Sequence, residues 1–431
     1  MVIFDTLSGE KKELPTGREI KMFVCGPTVY DYPHIGNART FVFFDMFAKY
    51  LRSTGIKLTY LQNITDIDDK IIQKAKDEGT SWREVSKKYE EIYRANLEAL
   101  GMDTQHMQFA RATDYVPEII AQVKHLHEKG FSYLIEGDGW YFDISKYAGY
   151  GELAHRTVQQ AEDGVTRIDD SSKKKNAGDF CLWKLSDDPT LQLGDDGLGA
   201  GRPGWHIEDT AITEKFFGPQ YDIHGGAIDL KFPHHEAERA QQEAASGKLP
   251  FVNFWMHAGF LTIDGKKMSK SLGNFMTVDD LLTKMTPDEF RMMLLMHHYR
   301  SPLDYTEQAV KMAKDSIHYF MVRVQNLKNQ AASNENEKEF EEAMNDDFNT
   351  PRALATLRSC TDPAVIAKNL ASLGINITVN IPPDVQVLLQ KRELSRASKQ
   401  FEQSDALRKE IEGLGYIVED TPVGPLVLPK N

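Results

Sequence analysis

Ile20-Lys21-Met22-Phe23-Val24-Cys25 is a short apolar run, and Gly26-Pro27 stops it. Its length and bounding turn residues predict a buried strand. A turn-rich segment follows through His34. Arg39 to Thr54 is then strongly apolar, carrying Phe41, Val42, Phe44, Met46, Phe47, Tyr50 and Leu51, and ends at Gly55. A glycine there suits the position just past a helix end, so the run predicts a helix. Leu58 to Ile64 reads as a second strand. Residues 20 to 64 therefore form a βαβ unit, the opening of a parallel α/β sheet. Ligands of such sheets sit beyond the strand carboxyl ends, which here means Cys25 to Asn37 and Thr65 to Asp69.

Working outward, Ser81 to Leu100 is an amphipathic helix with Val85, Tyr89, Ile92 and Leu97 on one stripe. From about 105 to 200 the pattern changes: a helix near 117 to 129, a hairpin over Phe131 to Ile144, then a polar stretch with Lys173-Lys174-Lys175. This reads as an insertion into the sheet, and the lysine run as a solvated loop more readily than a nucleic-acid contact. Sheet-like runs return at Tyr221 to His224 and Asn253 to Leu261. Thr286-Pro287-Asp288-Glu289 is a capping box that starts a helix to about Tyr299. A longer helix spans about Asp304 to Lys328, with Ala309, Met312, Ala313, Ile317, Phe320, Val324 and Leu327 on its apolar stripe. Asp346 to Thr350 caps another, so this region is a helical bundle. Gly374 to Pro383 is a linker. Val385 onward holds one or two helices and a tail of strand character, and no internal repeat occurs.

Composition bounds the class. The chain has 431 residues, 41% hydrophobic and 27% charged, enough for two to four domains. No apolar run approaches the ~20 residues of a membrane span, and no signal-peptide layout opens the chain, so the expected location is cytoplasmic. Three cysteines, Cys25, Cys181 and Cys360, argue against a disulfide framework. The formal charge of −13 excludes a strongly non-specific nucleic-acid binder but allows one local basic face.

Two stretches carry chemistry. In Pro33-His34-Ile35-Gly36-Asn37, His34 and Asn37 lie just ahead of a helix amino terminus, where free N–H groups and the macrodipole favour anions, and Gly36 lets a ligand approach the backbone. Taken alone, this reads more readily as a histidine in a tight turn. In Lys267-Met268-Ser269-Lys270-Ser271, Lys267 and Lys270 sit in a loop beside Gly265 and Gly273 and suit a triphosphate and its departing pyrophosphate; alone, such a run is usually surface. Their joint occurrence in this order reads as two halves of one nucleotide site.

His-Ile-Gly-Asn and Lys-Met-Ser-Lys-Ser resemble the two signature motifs of class I aminoacyl-tRNA synthetases. Cys25 to Asp31, Asn63 to Lys70, Gly201 to Glu208 and Phe232 to Glu236 look specifically like the cysteinyl-tRNA synthetase family. The likeness covers most of the first 300 residues and extends to the carboxyl tail. It implies a Rossmann-type parallel-sheet catalytic domain over 1–300 with the insertion at about 105–200. A tRNA-binding helical bundle over 301–373 and a small mixed anticodon-side domain over 384–431 would follow. The implied activity joins L-cysteine to the 3′ end of tRNA(Cys) through a cysteinyl-adenylate, with ATP and Mg²⁺. Gly26, Thr65, Trp205 and His224 would shape the cysteine pocket; Gly226 and Asp229 would hold the ribose, with Gly36 and Lys270 also on the nucleotide.

The resemblance further implies one Zn²⁺ that binds the substrate thiol, with Cys25, Asp209, His234 and Glu238 at the ligand positions. A zinc suits the task because cysteine differs from serine by one atom, and a soft thiolate gains on zinc what an alcohol does not. One departure matters: the family usually has a cysteine where this chain has Asp209. Asp keeps the ligand charge and replaces soft sulfur with hard oxygen; the rival is a weaker site completed by His206 or water. His235 and Glu236 read as helix-terminal packing, and Cys181 and Cys360 as inert core thiols. Lys391 to Lys399 concentrates positive charge that suits tRNA, or simply a solvated helix face. Two other activities stay open: transfer of activated cysteine to an amino-sugar, which gives no use for Phe401 to Leu428, and a non-catalytic RNA binder, which has no need of the nucleotide clamp.

Overall fold

The apolar run at Ile20 becomes the middle strand of a parallel sheet in the computed structural model, which describes residues 1–156, 173–269, 273–326, 334–377, 379–422 and 424–430. Five strands, β1 (Ile20–Val24), β2 (Leu58–Ile64), β3 (Met107–Arg111), β4 (Tyr221–Ala227) and β5 (Val252–Ala258), lie in the order β5-β4-β1-β2-β3, all parallel. The order reverses at β1, between β2 and β4. A crevice for ligands opens beyond the carboxyl ends of β1 and β4 at such a switch point.

Helix α1 (Ile35–Ser53) joins β1 to β2. It starts at Ile35 and not at Arg39, because His34 and Asn37 form a capping box. His34 Nδ1 accepts the Asn37 N–H at 3.2 Å, and Asn37 Oδ1 accepts the His34 N–H at 3.4 Å. The helix is buried almost all round. Phe44 packs so closely on β4 that a Cβ at Gly225 would lie 2.3 Å from its ring. Phe43 stacks on Tyr299 at 4.5 Å and meets Phe348 at 5.8 Å. Each buried aromatic ring contributes about 2–3 kcal/mol.

The insertion folds as a separate antiparallel sheet of Ser132–Ile135, Gly139–Phe142, Phe180–Leu185 and Gly201–Pro203. The insertion begins later than the residue of about 105 expected from the sequence. Met107–Arg111, inside the 105–200 span, is the edge strand of the parallel sheet, paired with β2 from Tyr60 to Ile64. It is short and half exposed, so its apolar pattern is weak. Lys174 donates to the Asp179 carbonyl at 3.0 Å, and the Lys175 amine lies 4.2 Å from the Tyr133 ring; these two lysines fold onto the insertion itself.

The chain divides into two compact units. Met1–Pro287, His297–Thr306 and Asn345–Phe348 make the first, and Asp288–Met296, Glu307–Met344 and Asn349–Asn431 the second. The second is helical, ending in a hairpin of Tyr416–Thr421 and Gly424–Pro429. Its residues 307–373 and 384–431 are tied together: Gln325 brackets the Val427 backbone with two hydrogen bonds of 3.0 and 3.1 Å, and Asn326 donates to the Pro425 carbonyl. Met312, placed on the apolar stripe of the Glu307–Asn326 helix, is 45% exposed; Ala313, Ile317, Phe320 and Val322 are the buried face. The basic run is partly spent internally, because Arg392 is buried, donates twice to Asp420 at 2.8 and 2.9 Å, and Arg396 joins the same carboxylate. Among the described residues no helix is long and apolar enough to cross a membrane.

Candidate active site and metal centre

The first signature stretch is tied by backbone hydrogen bonds to the segment that follows the second. Ile35 N–H donates to the Met276 carbonyl at 3.1 Å and Val278 N–H to the Pro33 carbonyl at 3.0 Å, while Phe275 packs edge-on to the His34 ring. A Cβ on Gly36 would lie 3.4 Å from Met268 Cε and 3.0 Å from the His34 ring, so glycine admits both neighbours. Asn274 organises the loop, accepting from Ser269 N–H at 2.9 Å and donating to the Lys267 carbonyl at 3.2 Å. Lys267 is exposed in a short strand paired with Thr262. Lys270 lies outside the described residues.

His34 uses Nδ1 to cap α1, and burial depresses its pKa, opposed by Asp229 and Asp31. It is therefore a neutral imidazole that carries its proton on Nε2. Asp229 stands in the turn Ile228–Lys231 that follows β4. The close approach at Gly226 is to protein: a Cβ there would lie 2.6 Å from the His235 ring.

A buried donor cluster includes Cys25, just past the carboxyl end of β1. Cys25 follows β1; Asp209 is on helix α2 (Trp205–Phe217), and His234 and Glu238 are on helix α3 (His234–Ser246), one turn apart. His234 Nε2 lies 3.2 Å from Asp209 Oδ2 and 3.2 Å from Glu238 Oε1. Donor atoms of Cys25, Asp209 and His234 all fall within 4.8 Å of one another. Asp209 Oδ1 and both Glu238 oxygens are buried without a hydrogen-bond partner. Burial and the neighbouring Asp209 carboxylate push both the Cys25 thiol and the Glu238 carboxyl well up. Clustered acids with orphaned oxygens are costly unless a cation compensates them, so the donor set fits a bound metal.

His206 approaches the ring nitrogen of His234 opposite the one that faces Asp209. Its Nδ1 lies 2.7 Å from His234 Nδ1, on the far side of the ring from the carboxylates, where it orients His234. Trp205 stacks on His234 at 4.1 Å and 13°. Thr65 donates to Glu208, a buried carboxyl pushed up by burial and by Asp209. His224 receives Tyr221 OH at 2.7 Å on Nδ1 and presents Nε2 to Glu238 Oε2 at 3.5 Å. Gly26 donates to Asn63 Oδ1, and a Cβ there would fall 1.9 Å from the Asn63 carbonyl oxygen, which holds Cys25 at the end of β1.

Sequence reasoning missed Glu208, Tyr221 and His257. The last runs a chain from Thr6 Oγ1, 2.8 Å from His257 Nδ1, to His235, 2.9 Å from His257 Nε2. His235 is thus part of this network in addition to packing at a helix end. The pairing of β4 with β5 sets Gly226, against whose backbone His235 packs, beside His257.

Comparison with known proteins agrees with this geometry. A model of the tRNA synthetases class I (C) catalytic domain matches residues 12–315, a DALR domain model 339–369, and a cysteinyl-tRNA ligase anticodon binding domain model 378–424. The cysteine–tRNA ligase of Carboxydothermus hydrogenoformans is 39% identical over 98% of this chain and 99% of its own. That of Archaeoglobus fulgidus is 38% identical over 98% and 99%. Among solved structures, Mycobacterium tuberculosis methionyl-tRNA synthetase with methionyl-adenylate superposes with a TM-score of 0.61 at 15% identity, covering 91% of this chain and 88% of that one, a likeness of fold. With near-complete coverage at this identity, the chain belongs to the cysteine–tRNA ligase family of class I aminoacyl-tRNA synthetases.

Proposed function

We propose that the chain ligates L-cysteine to the 3′ end of tRNA(Cys) in two steps, through a cysteinyl-adenylate formed from ATP, and that zinc held by Cys25, Asp209, His234 and Glu238 reads the substrate thiol. The observation that carries this reading is an uncompensated buried donor cluster that includes Cys25, at the carboxyl end of β1, together with the His34 cap of α1, the helix that follows the same strand. Family membership supports tRNA aminoacylation generally. The match of residues 378–424 to an anticodon binding domain favours tRNA over a small amino-sugar acceptor.

The cysteine carboxylate attacks the α-phosphate of ATP and releases pyrophosphate; the terminal ribose hydroxyl of tRNA then takes the cysteinyl group. Residues of the chain contribute positioning and charge. Neutral His34 donates from Nε2 to phosphate oxygens, and the Asn37 amide NH₂ and the Gly36 N–H assist it, since the Ile35 and Asn37 N–H groups are already bonded within the chain. Asp229, in the turn that follows β4, holds the ribose with Gly226 at the end of that strand. Lys267 and Lys270 steady the leaving pyrophosphate with Mg²⁺. Trp205, Thr65, His224 and Gly26 enclose the amino acid. Zinc, when bound, supplies a soft anchor that a thiolate satisfies and a serine hydroxyl does not. The tRNA is carried by 301–373 and 384–431, with 1–300 catalytic.

Cysteine-dependent ATP–pyrophosphate exchange tests the first step, and transfer of labelled cysteine, against serine, to tRNA tests the second. No exchange with cysteine refutes the reading. Lys270→Ala should slow exchange far more than it weakens cysteine binding; an unchanged exchange rate removes Lys270 from the clamp.

A further inference from the structure

We propose that Asp209 makes the metal centre a mixed hard–soft site with Cys25 as its single sulfur donor, so that its preference for zinc over iron(II) is narrower than a two-thiolate site would have. The inference rests on the metal reading proposed above and deepens it.

The donor count comes from the structure. Cys181 packs with Ile135 and Tyr141 in the insertion sheet, and Cys360 is in the second unit with its thiol 3.6 Å from the Asp362 carbonyl. Cys25 is thus the one sulfur beside His234 and the carboxylates of Asp209 and Glu238; the neighbouring group that Glu238 forms with His224 and His235 adds imidazoles and no sulfur. Asp209 is fully buried on α2. One oxygen lies 3.2 Å from the ligating nitrogen of His234 and the other has no partner, so its carboxylate is committed to this cluster. Thiolates select the softer metals, whereas carboxylates also suit harder divalent ions; exchanging one thiolate for a carboxylate shifts the balance toward the latter. A substrate thiolate would then bring the second sulfur to the centre.

The test uses the full chain, stripped of metal and reloaded. In anaerobic competition between equimolar zinc and iron(II), Asp209→Cys should raise the zinc-to-iron occupancy ratio by roughly tenfold or more over wild type. With cobalt(II), the wild type should show the thiolate-to-metal charge-transfer intensity of one sulfur. That intensity should roughly double with cysteine, stay put with serine, and already be doubled in resting Asp209→Cys. Equal metal ratios and equal band intensities in both proteins would overturn the inference. A wild type that holds no divalent metal would overturn the metal reading itself. If Asp209→Cys does not fold, the wild-type cobalt band decides: the intensity of one sulfur supports the inference, and that of two overturns it.

Discussion

Arg39 offers a sharp test of how the two signature stretches are held in register. It is buried on the first turns of α1, and its guanidinium donates to three backbone carbonyls, those of Phe260, Tyr299 and Ser301. Burial pulls its pKa down to about 10, still above neutrality, so a full charge is held by carbonyl dipoles. Phe260 and Tyr299 also accept backbone N–H groups from Leu303 and Gly259, at 2.9 and 2.8 Å. Arg39→Met would therefore orphan chiefly the Ser301 carbonyl. Three hydrogen bonds to a charged group at ~1.5 kcal/mol each give about 4–5 kcal/mol. Relief of the buried charge returns ~1–2 kcal/mol, leaving a loss of about 3 kcal/mol. Urea unfolding followed by tryptophan fluorescence measures it, since Trp255 is buried in this unit. Because the folded pKa lies below the unfolded one, the penalty of burying this charge is relieved only as pH rises through about 10, so the loss should be flat from pH 6 to 9. Phe260, whose carbonyl is one of these three, opens the segment that leads to Lys267, so adenylate formation should fall with stability. A loss under ~1 kcal/mol with an unchanged exchange rate would refute the idea that Arg39 ties α1 to this segment.

Three further outcomes follow from single contacts. Gly26→Ala puts a Cβ 1.9 Å from the Asn63 carbonyl oxygen, a backbone atom that cannot swing away; the cost should be about 2–3 kcal/mol in denaturant unfolding, and a neutral variant would remove the tight β1–β2 approach. His206→Ala leaves Cys25, Asp209, His234 and Glu238 intact but frees the His234 ring; metal affinity by chelator competition should fall about 10–100-fold, and unchanged affinity would end its orienting role. His257, whose pKa burial pulls down to about 3, binds a proton in the unfolded chain before it does so when folded. Its contribution is thus present above pH ~6.5 and lost as pH falls toward 3, at up to ~1.4 kcal/mol per unit. His257→Gln should flatten the acid limb of the stability profile, and an identical slope in both proteins would count against this.

The β1–α1–β2 unit was legible because its signals are local: an apolar run of strand length, a glycine stop, an apolar helix and a second run. The start of α1 was not, since the cap is a histidine–asparagine pair and neither the cap nor a turn motif of Ser, Thr or Asp marks it. Met107–Arg111 escaped as well, because an edge strand with one wet face carries little periodic signal, and its place is fixed only by pairing with β2. In the second unit the basic run overstated the free charge: the turn that sets Asp420 against Arg392 and Arg396 is a tertiary event.

For the site, the sequence by itself determined the chemistry on offer: a helix-terminal His-Ile-Gly-Asn, a lysine-bearing loop, and Cys25, Asp209, His234 and Glu238 as donors. Of these only His234 and Glu238 are near neighbours, at one helical turn. What the tertiary structure decided is which groups share a volume. It sets Asp209 Oδ2 at 3.2 Å from His234, puts His206 behind that ring as an orienter, and draws Glu208, Tyr221 and His257 into the same buried network. The physical reason is that ligation and burial depend on distances across strands and helices brought together by the sheet order, and a residue's type states what it can bind but not what it will stand beside.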